Sequence, residues 1–135
     1  MGPLIIGTSL AAAVGLLAHA VGYDRDRSFY AVVLTVVGSF YVLFNVMAQG
    51  DDLVTEIAFF GVFAILALIG FRTSLWVVVA GLALHGMFDF VRQFFLAGRG
   101  VPSWWPAFCG SYDVVAALGL AVLLLVERRR GLQPT

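Results

Sequence analysis

The chain has no lysine and a single cysteine, Cys109. Without lysine there is no side-chain amine for a Schiff base, which excludes a retinal pigment. A lone cysteine cannot close an internal disulfide, and no CxxC redox or metal motif exists. Charge is scarce: Asp, Glu, Lys and Arg make up 12% of the residues, and the formal net charge is zero. No basic stripe interleaved with aromatics is present, so nucleic acid is not an expected partner. HExxH, GxSxG and the phosphate-binding P-loop are missing, so the best-known zinc-protease, serine-hydrolase and nucleotide signatures do not apply.

What is there is mostly hydrocarbon. Of 135 residues 61% are hydrophobic, with a mean hydropathy of +0.99. Soluble domains are about 45–50% apolar. The composition predicts an all-α, polytopic membrane protein, one transmembrane domain over residues 1–135. A span needs about 20 apolar residues. Five stretches qualify: Pro3 to Gly22, Phe29 to Met47, Leu53 to Phe71, Leu75 to Leu96, and Pro106 to Val126. Ala18-His19-Ala20 has the form of a signal-peptidase site. The preceding segment lacks the basic start of a signal peptide, so it is expected to be a membrane helix. Ile6 stands where a myristoylation signal needs Ser or Thr.

The breaks between spans are short and polar. They are Tyr23 to Ser28, Gln49 to Asp52, Arg72 to Ser74 and Gly98 to Ser103, with Pro106 placed to open the last helix. Short turns predict an antiparallel up-down bundle. Arg25, Arg27, Arg72 and Arg128 to Arg130 fall on one side, against Arg99 and the nearby Arg92 on the other. The positive-inside rule then places the N-terminus outside and the C-terminus in the cytoplasm of the inner (plasma) membrane. Arg128 to Arg130 are an expected anchor on anionic headgroups. Trp104 and Trp105 suit an outer aromatic belt, with Trp76 and Tyr23 in an inner one. His19 is expected at the cytoplasmic interface. Gly7, Ala11 and Gly15 form a small-residue stripe suited to close packing of the first helix, within the chain rather than between copies.

Against this background four ionisable residues stand out inside the spans: Glu56, His85, Asp89 and Asp113. An ionised Asp at a helix centre costs roughly 2.5–3.5 kcal/mol on insertion scales. At about 1.5 Å rise per residue, all four fall in the outer half of the bilayer. Asn45 and Gln49 reach a similar level. His85 and Asp89 share a helix face, with Arg92 one turn on. Glu56, Asp89 and Asp113 are three negative charges, which a dry bundle must offset with Arg92, a protonated His85, bound protons or a cation. Arg92 is expected to pair with Asp89. The four are the candidate catalytic residues. His85, Asp89 and Asp113 suit a divalent Zn, Mn or Fe ion, and no other cofactor is implied. Asn45, Arg92 and Tyr112 are candidate substrate contacts.

Each residue also has a plainer reading. Glu56 in a first helical turn is favoured by the helix dipole. Asp89 with Arg92 can be a simple pair, and His85 a hydrogen-bonded core histidine. Asp113 can bond a neighbouring helix. Cys109 is expected as a small packing residue, although it sits four residues before Asp113 on the same face.

The runs Glu56-Ile57-Ala58-Phe59, Leu84-His85-Gly86-Met87-Phe88-Asp89-Phe90-Val91 and Pro106-Ala107-Phe108-Cys109 with Asp113 resemble small bacterial integral membrane proteins of domain-of-unknown-function type. Those have a Glu helix, a His-x-x-x-Asp helix and a last helix with Cys and Asp. Where that pattern often continues with histidine, this chain has Arg92 and Gln93. The resemblance implies a grouping of the same residues and no known activity. A weaker resemblance, through His85 and Asp89 alone, is to emopamil-binding-protein-like (EXPERA) sterol isomerases.

The reading that follows is a pocket facing the outer leaflet or periplasm. It would bind or act on a small amphipathic or lipid-like molecule, with membrane lipids as partners. Its rivals are a small accessory subunit, in a homo-oligomer or larger membrane complex, whose polar cluster is structural glue, and an ion or proton transporter. A cavity touching all four residues favours the pocket; satisfied pairwise bonds without one favour glue.

Overall fold

The computed structural model describes residues 1–96, 98 and 100–131. Five helices follow one another: α1 (Gly2–Val21), α2 (Ser28–Met47), α3 (Leu53–Arg72), α4 (Leu75–Phe95) and α5 (Trp105–Arg129), with a short 3₁₀ turn at Tyr23–Arg25. Each is long and apolar enough to cross a membrane. No strand occurs among the described residues.

The helix ends follow from local chemistry. Gly22 takes φ +86° after α1, and its N–H donates to the Ala18 carbonyl, a left-handed cap that suits glycine. Ser74 caps α4 by accepting from the Trp76 N–H. Pro106 is the second residue of α5, one position later than the sequence implied, since Trp105 donates its N–H to the Pro102 carbonyl and joins the helix.

The turns sort into two layers. Arg27, after the 3₁₀ turn, donates to the carbonyls of Phe71, Gly70 and Thr73 at the end of α3. These are carbonyls that a helix terminus leaves without partners. The α1–α2 and α3–α4 turns therefore share one end. At the other end Gly100, at φ +79°, lies against the last turn of α2. A Cβ there would stand 2.7 Å from the Phe44 carbonyl oxygen. The bundle is thus antiparallel and up-down.

Packing is most extensive between α4 and α5, α1 and α5, and α2 and α3. The small-residue stripe of α1 turns onto α5, where a Cβ on Gly7 would overlap the Phe108 carbonyl and the Ser111 hydroxyl. α1 therefore leans on α5 rather than on its sequence neighbour α2. The space left between α1 and α2 becomes a groove. Trp105 is a core residue rather than part of a belt: its ring centroid lies 4.8 Å from those of Phe40 and Phe44. Trp104, Trp76 and Tyr23 are exposed. His19 is exposed and meets the Asp24 carboxylate at 2.8 Å. Arg99 lies outside the described residues.

Candidate functional site

α4 and α5 cross where glycine faces glycine. A Cβ on Gly86 would stand 2.9 Å from the Gly110 carbonyl oxygen and 3.2 Å from the Asp113 Cβ. That close approach brings the neighbouring side chains together. His85 Nδ1 lies 2.6 Å from Asp113 Oδ2 and 3.6 Å from Asp89 Oδ2. The Cys109 thiol, one turn before Asp113, lies 3.8 Å from the same Asp113 oxygen. From α2, the Tyr41 hydroxyl donates to Asp89 Oδ1 at 2.7 Å. The His85 ring packs edge-on against Phe63 of α3, centroids 4.6 Å apart. His85, Asp89 and Asp113 are at most 1% exposed.

Glu56 does not join this group. Both of its carboxylate oxygens accept from the Arg92 guanidinium, Oε2 at 2.7 Å, in a two-bond pair that is almost fully buried. The expected Arg92–Asp89 pair is therefore not formed. The long Arg92 side chain crosses to α3, whereas the short Asp89 carboxylate stays against α2 and α5. Tyr41 joins the two halves. The Arg92 guanidinium carbon sits 4.0 Å from its ring centroid, and its hydroxyl bonds Asp89.

The other candidates lie apart. Asn45 is buried near the end of α2, and neither atom of its side-chain amide has a protein partner. Gln49 falls beyond α2, exposed, at φ 50°. Tyr112 is half-buried and lines the α1–α2–α5 groove rather than the cluster.

Two residues carry more weight than their sequence context implied. Tyr41 was not anticipated, although its four-residue spacing from Asn45 marks a polar face on α2. Cys109 is more than packing. One donor atom each from His85, Asp89, Cys109 and Asp113 lie within 4.8 Å of one another, close enough to hold a metal ion. Asp89 Oδ2 and Asp113 Oδ1 are buried and accept no hydrogen bond.

None of the three main cavities touches Glu56, His85, Asp89 or Asp113 directly, but two touch their bonded neighbours. An apolar groove of about 610 Å³ runs between α1 and α2 over α5. It extends from Asp26 and Ser28 at one end to Trp105, with Cys109 and Tyr112 in its wall. A crevice of about 310 Å³ at the opposite end has Tyr41, Arg92, Gln93 and Ser103 in its wall. The arrangement is therefore neither one central pocket nor a fully satisfied set of bonds.

No family model, curated protein or solved structure matches the chain.

Proposed function

We propose that this polytopic membrane protein binds a small amphipathic or lipid-like molecule. Its apolar part lies in the α1–α2–α5 groove, and its polar part is directed at the His85–Asp113–Cys109 group. One observation carries the reading. Cys109 is at once part of the groove wall and in contact with the Asp113 carboxylate. The groove volume, about 610 Å³, falls within the roughly 300–1,000 Å³ of small-molecule sites. Its lining of Leu10, Val14, Val33, Phe40 and Phe108 suits an alkyl chain or a flat apolar ring system.

In this reading His85 and Asp113 form an acid/base pair, with the imidazole held by a carboxylate and steadied by Phe63. Asp89 is positioned by Tyr41. Tyr112 contacts the ligand along the groove. Glu56 and Arg92 close on each other and hold α3 to α4. Arg92 also lines the crevice at the arginine-poor end, which the charge asymmetry places toward the outer leaflet or periplasm of the inner membrane.

The test is lipid mass spectrometry on protein purified in mild detergent, compared with Val33→Trp, which fills the groove away from the polar group. A specific amphiphile retained by the native chain and lost from the folded variant is expected. An unselective lipid profile in the native chain, or the same amphiphile retained by Val33→Trp, would refute the reading. The glue reading keeps one specific support, the closed Glu56–Arg92 pair, and applies to that pair alone.

A further inference from the structure

We propose that His85, Asp89, Cys109 and Asp113 form a four-ligand site for a borderline divalent transition metal, with Zn²⁺ the best-fitting ion. The proposal concerns the buried donors themselves and stands whether or not an amphiphile occupies the groove; with the ion bound, His85 and Asp113 are its ligands and no longer an acid/base pair.

The donor set is one imidazole nitrogen, one sulfur and two carboxylate oxygens. Mg²⁺ and Ca²⁺ take all-oxygen shells of six or more ligands, which this pocket does not offer. Nitrogen and sulfur beside oxygen select zinc-like ions, and four ligands suit a tetrahedron. Metal–ligand distances of about 2.0–2.3 Å put tetrahedral donors roughly 3.3–3.8 Å apart. His85 Nδ1 to Asp89 Oδ2 is 3.6 Å, and Cys109 Sγ to Asp113 Oδ2 is 3.8 Å. The 2.6 Å contact of His85 with Asp113 is shorter, as a direct hydrogen bond is, and all four donor atoms lie within 4.8 Å of one another. Metal entry would displace that proton and open the contact by roughly 0.8 Å, or would use the other Asp113 oxygen, which has no partner.

Two independent observations point to a ligand here. Asp89 Oδ2 and Asp113 Oδ1 are buried polar atoms without hydrogen-bond partners, on residues 0% exposed. A buried acceptor left unsatisfied costs about 1–3 kcal/mol. Charge gives the second. Glu56 and Arg92 cancel each other, leaving Asp89 and Asp113 as two carboxylates beside one imidazole. A divalent ion cancels both carboxylates; Cys109 gives up its proton on binding, and the resulting thiolate leaves one net negative charge in place of two beside a neutral imidazole. Tyr41 completes the outer shell: it donates to Asp89 Oδ1 and so leaves Oδ2 to the metal.

Cobalt reads such a site directly. Purified protein stripped with a chelator is titrated with Co²⁺, and the complex is then back-titrated with Zn²⁺. One ion per chain is expected, with the intense visible absorption of tetrahedral Co²⁺ and a near-ultraviolet sulfur-to-cobalt band. Zn²⁺ should bleach both, whereas excess Mg²⁺ should leave them unchanged. Cys109→Ser should lose the near-ultraviolet band and keep a weaker visible spectrum. Tyr41→Phe should weaken affinity about 10–100-fold with the spectrum retained. Ser39→Ala, on an exposed face of α2, should change nothing. Failure of folded native protein to take up Co²⁺ saturably, a weak octahedral spectrum, or a near-ultraviolet band that survives Cys109→Ser would each overturn the site. Because the native spectrum decides first, a variant that fails to fold does not blunt the test. An unselective lipid profile in the native chain with cobalt binding intact would sink only the groove reading.

Discussion

Replacing Arg92 by methionine tests the energetic logic of the bundle most sharply. Met keeps much of the stem volume and removes the guanidinium. Glu56, 3% exposed on α3, then loses both partners at once. Breaking a buried pair from one side costs about 3–5 kcal/mol, because an uncompensated charge remains. Arg92 also lines the crevice near the α4–α5 loop, so water or a proton can reach Glu56 in the variant. The low end, about 3 kcal/mol, is therefore expected, a shift of more than 100-fold in the unfolding equilibrium. Adding Glu56→Gln should recover much of the loss, since no buried charge is then left. A coupling of about 2 kcal/mol between the two sites follows. Reversible unfolding in bicelles, measured for the native chain, both single variants and the double, supplies the four numbers. An Arg92→Met cost below about 1 kcal/mol, or a double variant as unstable as the sum of the singles, would refute the view that this pair is closed and buried. Cobalt uptake by Arg92→Met should persist, because the pair lies outside the donor set.

Gly86→Ala should cost about 1–3 kcal/mol and weaken metal uptake, since its Cβ would meet the Gly110 carbonyl at 2.9 Å and push α4 off α5; thermal unfolding and cobalt titration check it together. Arg27→Ala should lower stability by about 1 kcal/mol by freeing carbonyls at the end of α3, and Arg27→Lys should restore little of it, which unfolding midpoints report. Asp26 lies in the polar α1–α2 turn, where the Ser28 backbone N–H and then its hydroxyl hold its carboxyl below the ordinary aspartate value. Its contribution is therefore present above a pH of about 3.9 and lost as pH falls through the lowered value, so Asp26→Asn should flatten that acid limb of the unfolding midpoint. Reporter fusions at both ends should place the N-terminus outside and the C-terminus in the cytoplasm; a cytoplasmic N-terminus would turn the Arg92 crevice to the inner leaflet.

Hydropathy made the helices legible because it adds over twenty residues, and one error hardly moves the sum. The expected stretches from Leu53 to Phe71 and Leu75 to Leu96 became Leu53–Arg72 and Leu75–Phe95. The last helix runs past Val126 to Arg129, where basic side chains suit a C-terminal dipole. Rise per residue is fixed as well, and from it Glu56, His85, Asp89 and Asp113 were expected at one level; the structure brings His85, Asp89 and Asp113 together and gives Glu56 to Arg92. Partner choice was not legible. It depends on the rotation of each helix about its axis and on side-chain reach, neither of which one sequence encodes locally. Arg92 is one turn from Asp89, yet its length carries it to Glu56 on another helix. Asp113 had no cation near it in sequence and found His85 across the Gly86–Gly110 crossing. Trp105 read as an interfacial residue because it adjoins Trp104, but successive helical residues point about 100° apart. One faces out and the other fills the core.

The polar layer divides into parts with different physical logic. Glu56 and Arg92 use each other fully, and a pair of that kind can serve helix adhesion alone. The His85, Asp89, Cys109 and Asp113 group does not close. Two of its carboxylate oxygens are buried without a donor, although Tyr41 and His85 stand beside them. Glue would have no use for that excess. An Asn at either aspartate would hold the helices with less charge and could donate as well as accept. Two acids packed against one imidazole in a membrane interior instead provide two negative charges and only one titratable base to meet them. A second proton or a divalent cation balances that count, and the sulfur of Cys109 at the edge of the same group is a ligand that a proton does not need. The thiol is thus the residue that separates a metal site from a proton site.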